Sequence, residues 1–531
     1  GGMDMGRKNK KIIQQKQKAA EPALKQWEIT DYIKKQHWAA IFSTLLWGLA
    51  AHGYMFLNKF SWHDDPWYMF GVGGSYNHGR WFLGMLGEGV EKYFGNVSLP
   101  WFNGMLCLVL IAAGNILLVE MFRLKRILSC ILLGALMVVF PSWTSTYAYM
   151  FTAAYYAFAA FLALFGVYLV WAIKKPWFGI LAGAVCQCLS LGIYQAYLTL
   201  AATVLLICFL SDVILKPEKK IWEQFQRGLH MILSLMVGLI FYLAANHMVL
   251  AAKGISLTDY QNISRIGQTN LKMLLHGILL AWKNFIFPVQ GGTADMYMQS
   301  IRMLYFVTLA FSICLLVWHI AQCGRREKTS LFFLLGGVFA FPVGINLFYL
   351  MGDIAGIHSI MVYAKVMVFI FPVVLIERLG SDVEKVRRYS MLCFSVLLLY
   401  VTVFYTHYAN VCYLQAEFQQ SEAISWMASL ATKIESAEGY SKELPIAYLN
   451  EGNMPDTSNR LTNEFSTGII PYGSTWMYSR WKISLYRWCG FRHEEVADLT
   501  GIESLPEVQG MPAYPAAGSI RVVNGVIVVK F

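Results

Sequence analysis

Eleven apolar runs, each close to the twenty residues that a bilayer-spanning helix needs, constrain this chain more than any other feature. They fall near 38–57, 101–121, 127–143, 153–173, 178–194, 196–215, 229–250, 305–321, 331–350, 360–376 and 391–407. Charged residues make up only 14% of the chain, against roughly 25% in a soluble domain. So much apolar surface cannot be hidden in one water-soluble core, which predicts a polytopic, mainly α membrane protein of about eleven transmembrane helices. The net charge of +11 does not argue for a nucleic-acid partner. Most of the basic residues sit in short clusters between apolar runs, where they set topology.

Those clusters orient the chain. With the basic arm of residues 1–36 in the cytoplasm, the inner connections carry Arg123-Lys125-Arg126, Lys174-Lys175, Lys216 to Arg227, Arg325-Arg326-Lys328 and Arg378 to Arg388. The opposing short loops 142–150 and 352–359 hold no Lys or Arg. The positive-inside pattern therefore fits an odd number of spans. It divides the chain into the arm, a transmembrane module over 37–409 and an extracytoplasmic domain over 410–531. Two long loops, 58–100 and 251–303, join that domain on the outer face. The second of these predicts re-entrant or interfacial helices, because its apolar stretch 271–289 is interrupted by Lys272, His276 and Lys283. The last segment predicts a helix to about 437, a strand over 445–449 and a hairpin turning at Asn524-Gly525, hence a small α/β fold. Cysteines show no paired motif; Cys412 and Cys489 are the two expected outside the lipid.

Two adjacent carboxylates, Asp64 and Asp65, lie just beyond the first span, between Trp62 and Trp67. Charge is costly beside a bilayer, so the pair is a site hypothesis by default. Asp65 precedes Pro66, a common pairing at a helix start, and so has a structural explanation that Asp64 lacks. The chemistry open to the pair is general-base catalysis or, through oxygen ligands, binding of a divalent cation such as Mg or Mn. Arg80, between Gly79 and Trp81, suits a phosphate or a sugar ring, or else an interfacial anchor. Lys365 lies a few residues inside a span, while Arg265 and Lys272 place positive charge on the outer face; each is a candidate for an anionic headgroup. Tyr194 and Gln195, at an outer turn, suit sugar hydroxyls or plain helix packing. His63 and His358 could titrate or bind a metal, though lone histidines usually do neither.

The acidic pair after the first span, the many spans and the outer C-terminal domain resemble the GT-C glycosyltransferases, which use polyprenyl-phosphate sugars. Asp64-Asp65, Gly79-Arg80-Trp81 and Gly192-Ile193-Tyr194-Gln195-Ala196 resemble, more narrowly, the bacterial serotype-converting glucosyltransferases of Gtr type II. The resemblance covers about 38–408. It implies that Asp64 is the catalytic member of the pair, acting as general base; many relatives carry Asp-Glu where this chain has Asp-Asp. It further implies an inverting hexose transfer, with glucose as the sugar. The donor would be polyprenyl-phosphate-linked, and the acceptor a cell-envelope glycan such as O-antigen or a teichoic acid. Two other classes compete. A lipid-linked glycan transporter or flippase would line a path through several spans with charge. A membrane O-acyltransferase would need an intramembrane His with a polar partner; His230 and His247 are present, but neither has an evident carboxylate nearby.

Overall fold

The computed structural model describes residues 33–60, 64–258, 270–288, 299–351, 357–451 and 475–531. It is mainly helical, and nine helices among the described residues are long and apolar enough to cross a membrane. In chain order the membrane-embedded region runs α1 (Lys35–Leu57), α2 (Asp65–Tyr68), α3 (Trp81–Tyr93), α4 (Pro100–Met121), α5 (Ile127–Val139), α6 (Pro141–Tyr147), α7 (Met150–Ala172), α8 (Pro176–Ile193), α9 (Leu198–Leu215) and α10 (Ile221–Lys253). It continues through α11 (Leu271–Ile286), α12 (Gln299–Arg326), α13 (Lys328–Ile345), α14 (Phe348–Met351), α15 (Met367–Glu377) and α16 (Glu384–Glu435). Pro141 breaks α5 from α6, because the residue before a proline is pushed to extended backbone; Phe140 has ψ 135°.

All eleven apolar runs become helical, but besides the third, split at Pro141, two more do not become single long helices. The ninth ends at Ile345, after Pro342, and resumes as the one-turn α14. The tenth opens as 3-10 turns, Ser359–Met361 and Tyr363–Val366, before the eleven-residue α15. At 1.5 Å per residue α15 is only about 16 Å long, half a bilayer. Every residue from Met367 to Ile376 is buried. A short helix that is apolar all round belongs inside a bundle, not against lipid.

Small residues and buried hydrogen bonds hold the spans together, since apolar burial alone gains little in lipid. At the α1–α5 seam, Ser43 Oγ donates to the Ile131 carbonyl at 2.7 Å, and Gly134 brings the backbones close. Between α7 and α8, Gln187 Nε2 and Ser190 Oγ donate to the carbonyls of Ala163 and Ala159 at 2.9 and 2.8 Å. The basic connections gather at one end of the bundle. There Asp212 bridges Arg123 and Arg227 at 3.1 and 2.7 Å, Arg126 meets Glu384 at 3.1 Å, and Arg378 Nε donates to Ser211 Oγ at 2.7 Å. Residues 64–100, the 194–197 turn and the described C-terminal region gather at the other.

In the 251–303 loop the described helix is α11, with Lys272 and Lys283 exposed on it and the Ala281 carbonyl accepting from Asn346 Nδ2 at 3.0 Å. The C-terminal region is built on α16, which passes through position 410 without a break and reaches Glu435 after 52 residues, roughly 78 Å. Against its second half pack β1 (Ile446–Leu449), α17 (Thr475–Cys489), β2 (Ile520–Val523) and β3 (Val526–Lys530). The sheet order is β1-β3-β2, with β1 parallel and β2 antiparallel to β3. Asn524 and Gly525, at φ 51° and 77°, make the expected hairpin turn. Trp426 of α16 meets Trp481 and Phe531 at ring separations of 6.0 Å, closing an aromatic core. Cys412 and Cys489 are both free thiols.

Candidate active site

The acidic pair separates into two environments. Asp65 is completely buried as the first residue of α2. Its Oδ2 accepts from Lys59 Nζ at 2.5 Å and its Oδ1 from Ser98 Oγ at 2.5 Å, while Lys59 also donates to Ser98 at 2.9 Å. Burial pulls the Lys59 ammonium below its usual range, and the facing carboxylate pulls it back up. Asp64 holds the N-cap position with no side-chain capping bond and is half-buried. Asp65 is therefore held by an ion pair and not as a helix cap. Lys59 and Ser98 did not stand out in the sequence, although a cation six residues before a buried acid is the natural partner to look for.

Arg80 sits in a separate cradle. The 3-10 turn Tyr76–His78 ends at Gly79, whose φ of 69° reverses the chain so that Arg80 starts α3. The guanidinium lies 5.3 Å from the ring centroid of Tyr194 and 5.9 Å from that of Tyr156. These two rings stack on each other at 4.3 Å and 15°. A hydrogen-bonded relay holds the turn: Gln195 Nε2 donates to the His78 carbonyl and to Tyr242 Oη, both at 3.1 Å, and Tyr242 Oη donates to the Gly79 carbonyl at 3.0 Å. Tyr194 and Gln195 thus carry and brace Arg80. Burial and the neighbouring Arg80 hold the His78 imidazole below its usual pKa, so it is neutral at pH 7 and adds no second cation.

Trp81 is buried against Gly192, where a Cβ would lie 2.8 Å from the indole; this explains a glycine at that point of the 192–196 motif. Lys365 is also buried, in the turn Tyr363–Val366. Tyr363 anchors that turn by donating to the Met137 carbonyl at 2.7 Å, and its ring is 6.3 Å from Tyr197, which meets Tyr194 at 5.4 Å. One aromatic chain therefore joins the Arg80 platform to the Lys365 turn. Tyr68 of α2 meets Phe151 at 5.4 Å, so the acidic loop packs on the opening turn of α7, the helix that supplies Tyr156. Tyr156 and Tyr242 carried no sequence signal beyond lying in apolar runs.

His358 begins the turn 359–361, which Ser142 and Ser145 hold through Ser359 at 2.7 and 2.5 Å. Lys272 lies exposed on α11, outside this cluster. Trp62, His63 and Arg265 lie outside the described residues. Among the described residues no three potential metal-ligating side chains cluster, and both Asp65 oxygens are engaged by Lys59 and Ser98. A cavity of about 320 Å³, lined by Trp171, Lys174, Arg227 and His230, lies at the opposite, basic end of the bundle.

An acidic loop, a braced arginine and a buried lysine are thus grouped at one end of a polytopic helical bundle. Residues 53–369, more than half of the chain, match the family described as glucosyl transferase GtrII, and the chain belongs to that family. The match includes Asp64, Arg80, Tyr194, Gln195 and Lys365 and stops before α16. No curated protein and no solved structure matches the chain.

Proposed function

We propose that this glucosyltransferase moves glucose from a polyprenyl-phosphate donor to a cell-envelope glycan on the outer face of the membrane, with inversion at the anomeric carbon. The observation that carries the assignment of roles is the split of the acidic pair. Asp65 is fully buried and paired with Lys59 and Ser98, whereas Asp64 is only half-buried at the N-cap of α2, and that accessibility supports Asp64 as the carboxylate for chemistry. In the step, Asp64 takes the proton of an acceptor hydroxyl as that oxygen bonds to C1. The bond from C1 to the phosphate oxygen breaks on the opposite face, and its electron pair leaves with polyprenyl phosphate. A phosphate is already a good leaving group, so the site needs cations rather than an acid; Arg80 and Lys365 fill that role. Orientation follows from loop charge, with the basic end in the cytoplasm and the acidic loop and C-terminal domain outside. The domain's place beside the acidic loop supports a role in receiving the acceptor glycan.

The test is turnover of synthetic polyprenyl-phosphate glucose by the purified chain in nanodiscs with a surface-glycan extract, read as released polyprenyl phosphate. Asp64→Asn should lower turnover by about 10²–10⁴-fold while donor binding persists. Arg80→Ala should instead weaken donor binding about tenfold or more. Wild-type-like turnover in Asp64→Asn would sink the assignment, and lipid flux without bond cleavage would favour a transporter.

A further inference from the structure

The C-terminal domain reaches back onto the acidic loop. Arg487 of α17 donates its Nε–H to the carbonyl of Pro66 at 2.9 Å, and its guanidinium lies 4.7 Å from the ring centroid of Phe70. Pro66 follows Asp65, and Phe70 follows α2, so one side chain grips the short helix that carries the acidic pair at two points. A four-residue helix closes few of its own backbone groups, so outside donors count for much of its order. The second half of α16 holds the approach to the same loop: Gln420 Nε2 donates to the Lys59 carbonyl at 3.0 Å, and Glu417 accepts from Tyr54. Lys59 is the residue whose ammonium pairs with Asp65. All three gripping residues lie beyond 369, outside the stretch that the GtrII family match covers.

We infer that the C-terminal domain is part of the catalytic unit, with Arg487 a positioning residue that sets where Asp64 stands. This rests on the assignment of Asp64 as the base. The membrane module holds α2 through Lys59 and Ser98 at Asp65 and through Phe151 at Tyr68, and Arg487 adds a hold on Pro66 and Phe70 from the domain side. Arg487 combines a directed Nε–H with a planar face over Phe70, a pairing that a lysine ammonium does not reproduce. A misplacement of about 1 Å at a reacting group costs on the order of 100-fold in rate.

The experiment compares Arg487→Ala, Arg487→Lys and Asp64→Asn as full chains in nanodiscs, using polyprenyl-phosphate glucose and the same glycan extract. Arg487→Ala should lower kcat about 10- to 100-fold with donor KM within about threefold, and should move the acid limb of the kcat–pH profile. Arg487→Lys should keep the wild-type melting temperature yet recover little of kcat. A domain that merely stabilises would lower the melting temperature and leave kcat and the pH limb in place, which overturns the inference. If Arg487→Ala does not fold, unchanged kcat and pH limb in Arg487→Lys overturn it alone. An inactive Asp64→Asn beside a normal Arg487 series defeats this inference only, whereas an active Asp64→Asn defeats the base assignment beneath it.

Discussion

At the scale of single residues, two neighbouring aspartates of identical chemistry are placed in different environments by burial. Asp65 is fully buried, and the Lys59 side chain facing it is 26% exposed. Removing one partner of such a pair leaves an uncompensated buried charge, at a cost of about 3–5 kcal/mol. Lys59→Met should therefore lower the melting temperature sharply, and Lys59→Met with Asp65→Asn should recover much of the loss; a double-mutant cycle in detergent measures the coupling. Additive single effects would show that the pair does not act as a unit. The sequence made Asp64 the better catalytic candidate because Pro66 offered Asp65 a structural role. The contact that occupies Asp65 is an ion pair to a lysine six residues upstream, not a helix cap. Likewise Tyr194 and Gln195 were visible as a motif, while their function as platform and brace depends on Tyr156 and Tyr242, which lie on other helices.

Among the elements, apolar length located the long membrane helices but not how each sits in the bundle. The runs at 331–350 and 360–376 were as apolar as the others, yet Pro342 and the 3-10 turns divide them, and α15 is enclosed by neighbours. Hydropathy cannot separate lipid-facing from protein-facing apolar surface, because both environments reward the same side chains. Contact with backbone separates them. A Cβ on Gly134 of α5 would lie 2.5 Å from the Ala40 carbonyl oxygen of α1, whereas one on Gly53 of α1 meets nothing within 4 Å. Gly134→Ala should accordingly destabilise by about 1–3 kcal/mol, since the obstructing atom is main chain. Gly53→Ala should be neutral or stabilising by up to about 1 kcal/mol through helix propensity. Thermal melting in a single detergent checks both, and equal shifts of one sign would contradict the packing assigned to this seam.

For the molecule as a whole, the 52-residue α16 makes the membrane bundle and the C-terminal domain one mechanical body. Its first half packs in the bundle, and Met427, Leu430 and Ile434 of its second half are buried in the domain. A single alanine inserted after Ser421 would rotate the domain by about 100° and shift it about 1.5 Å without interrupting the helix. Such a protein should keep its helical circular dichroism, lose hydrogen-exchange protection over 64–71 and lose glucose transfer. Wild-type protection and transfer would mean that the domain is not phased to the acidic loop. Membrane class, the grouping of basic loops and the local α/β signals of the last hundred residues were legible in the chain, because they depend on composition and on neighbours a few residues apart. The pairing of Asp65 with Lys59 and Ser98, the stacked tyrosines beneath Arg80 and the reach of Arg487 to Pro66 were not. They are contacts between residues up to 421 positions apart, and nothing in a local pattern encodes which distant side chain a fold will carry to a site.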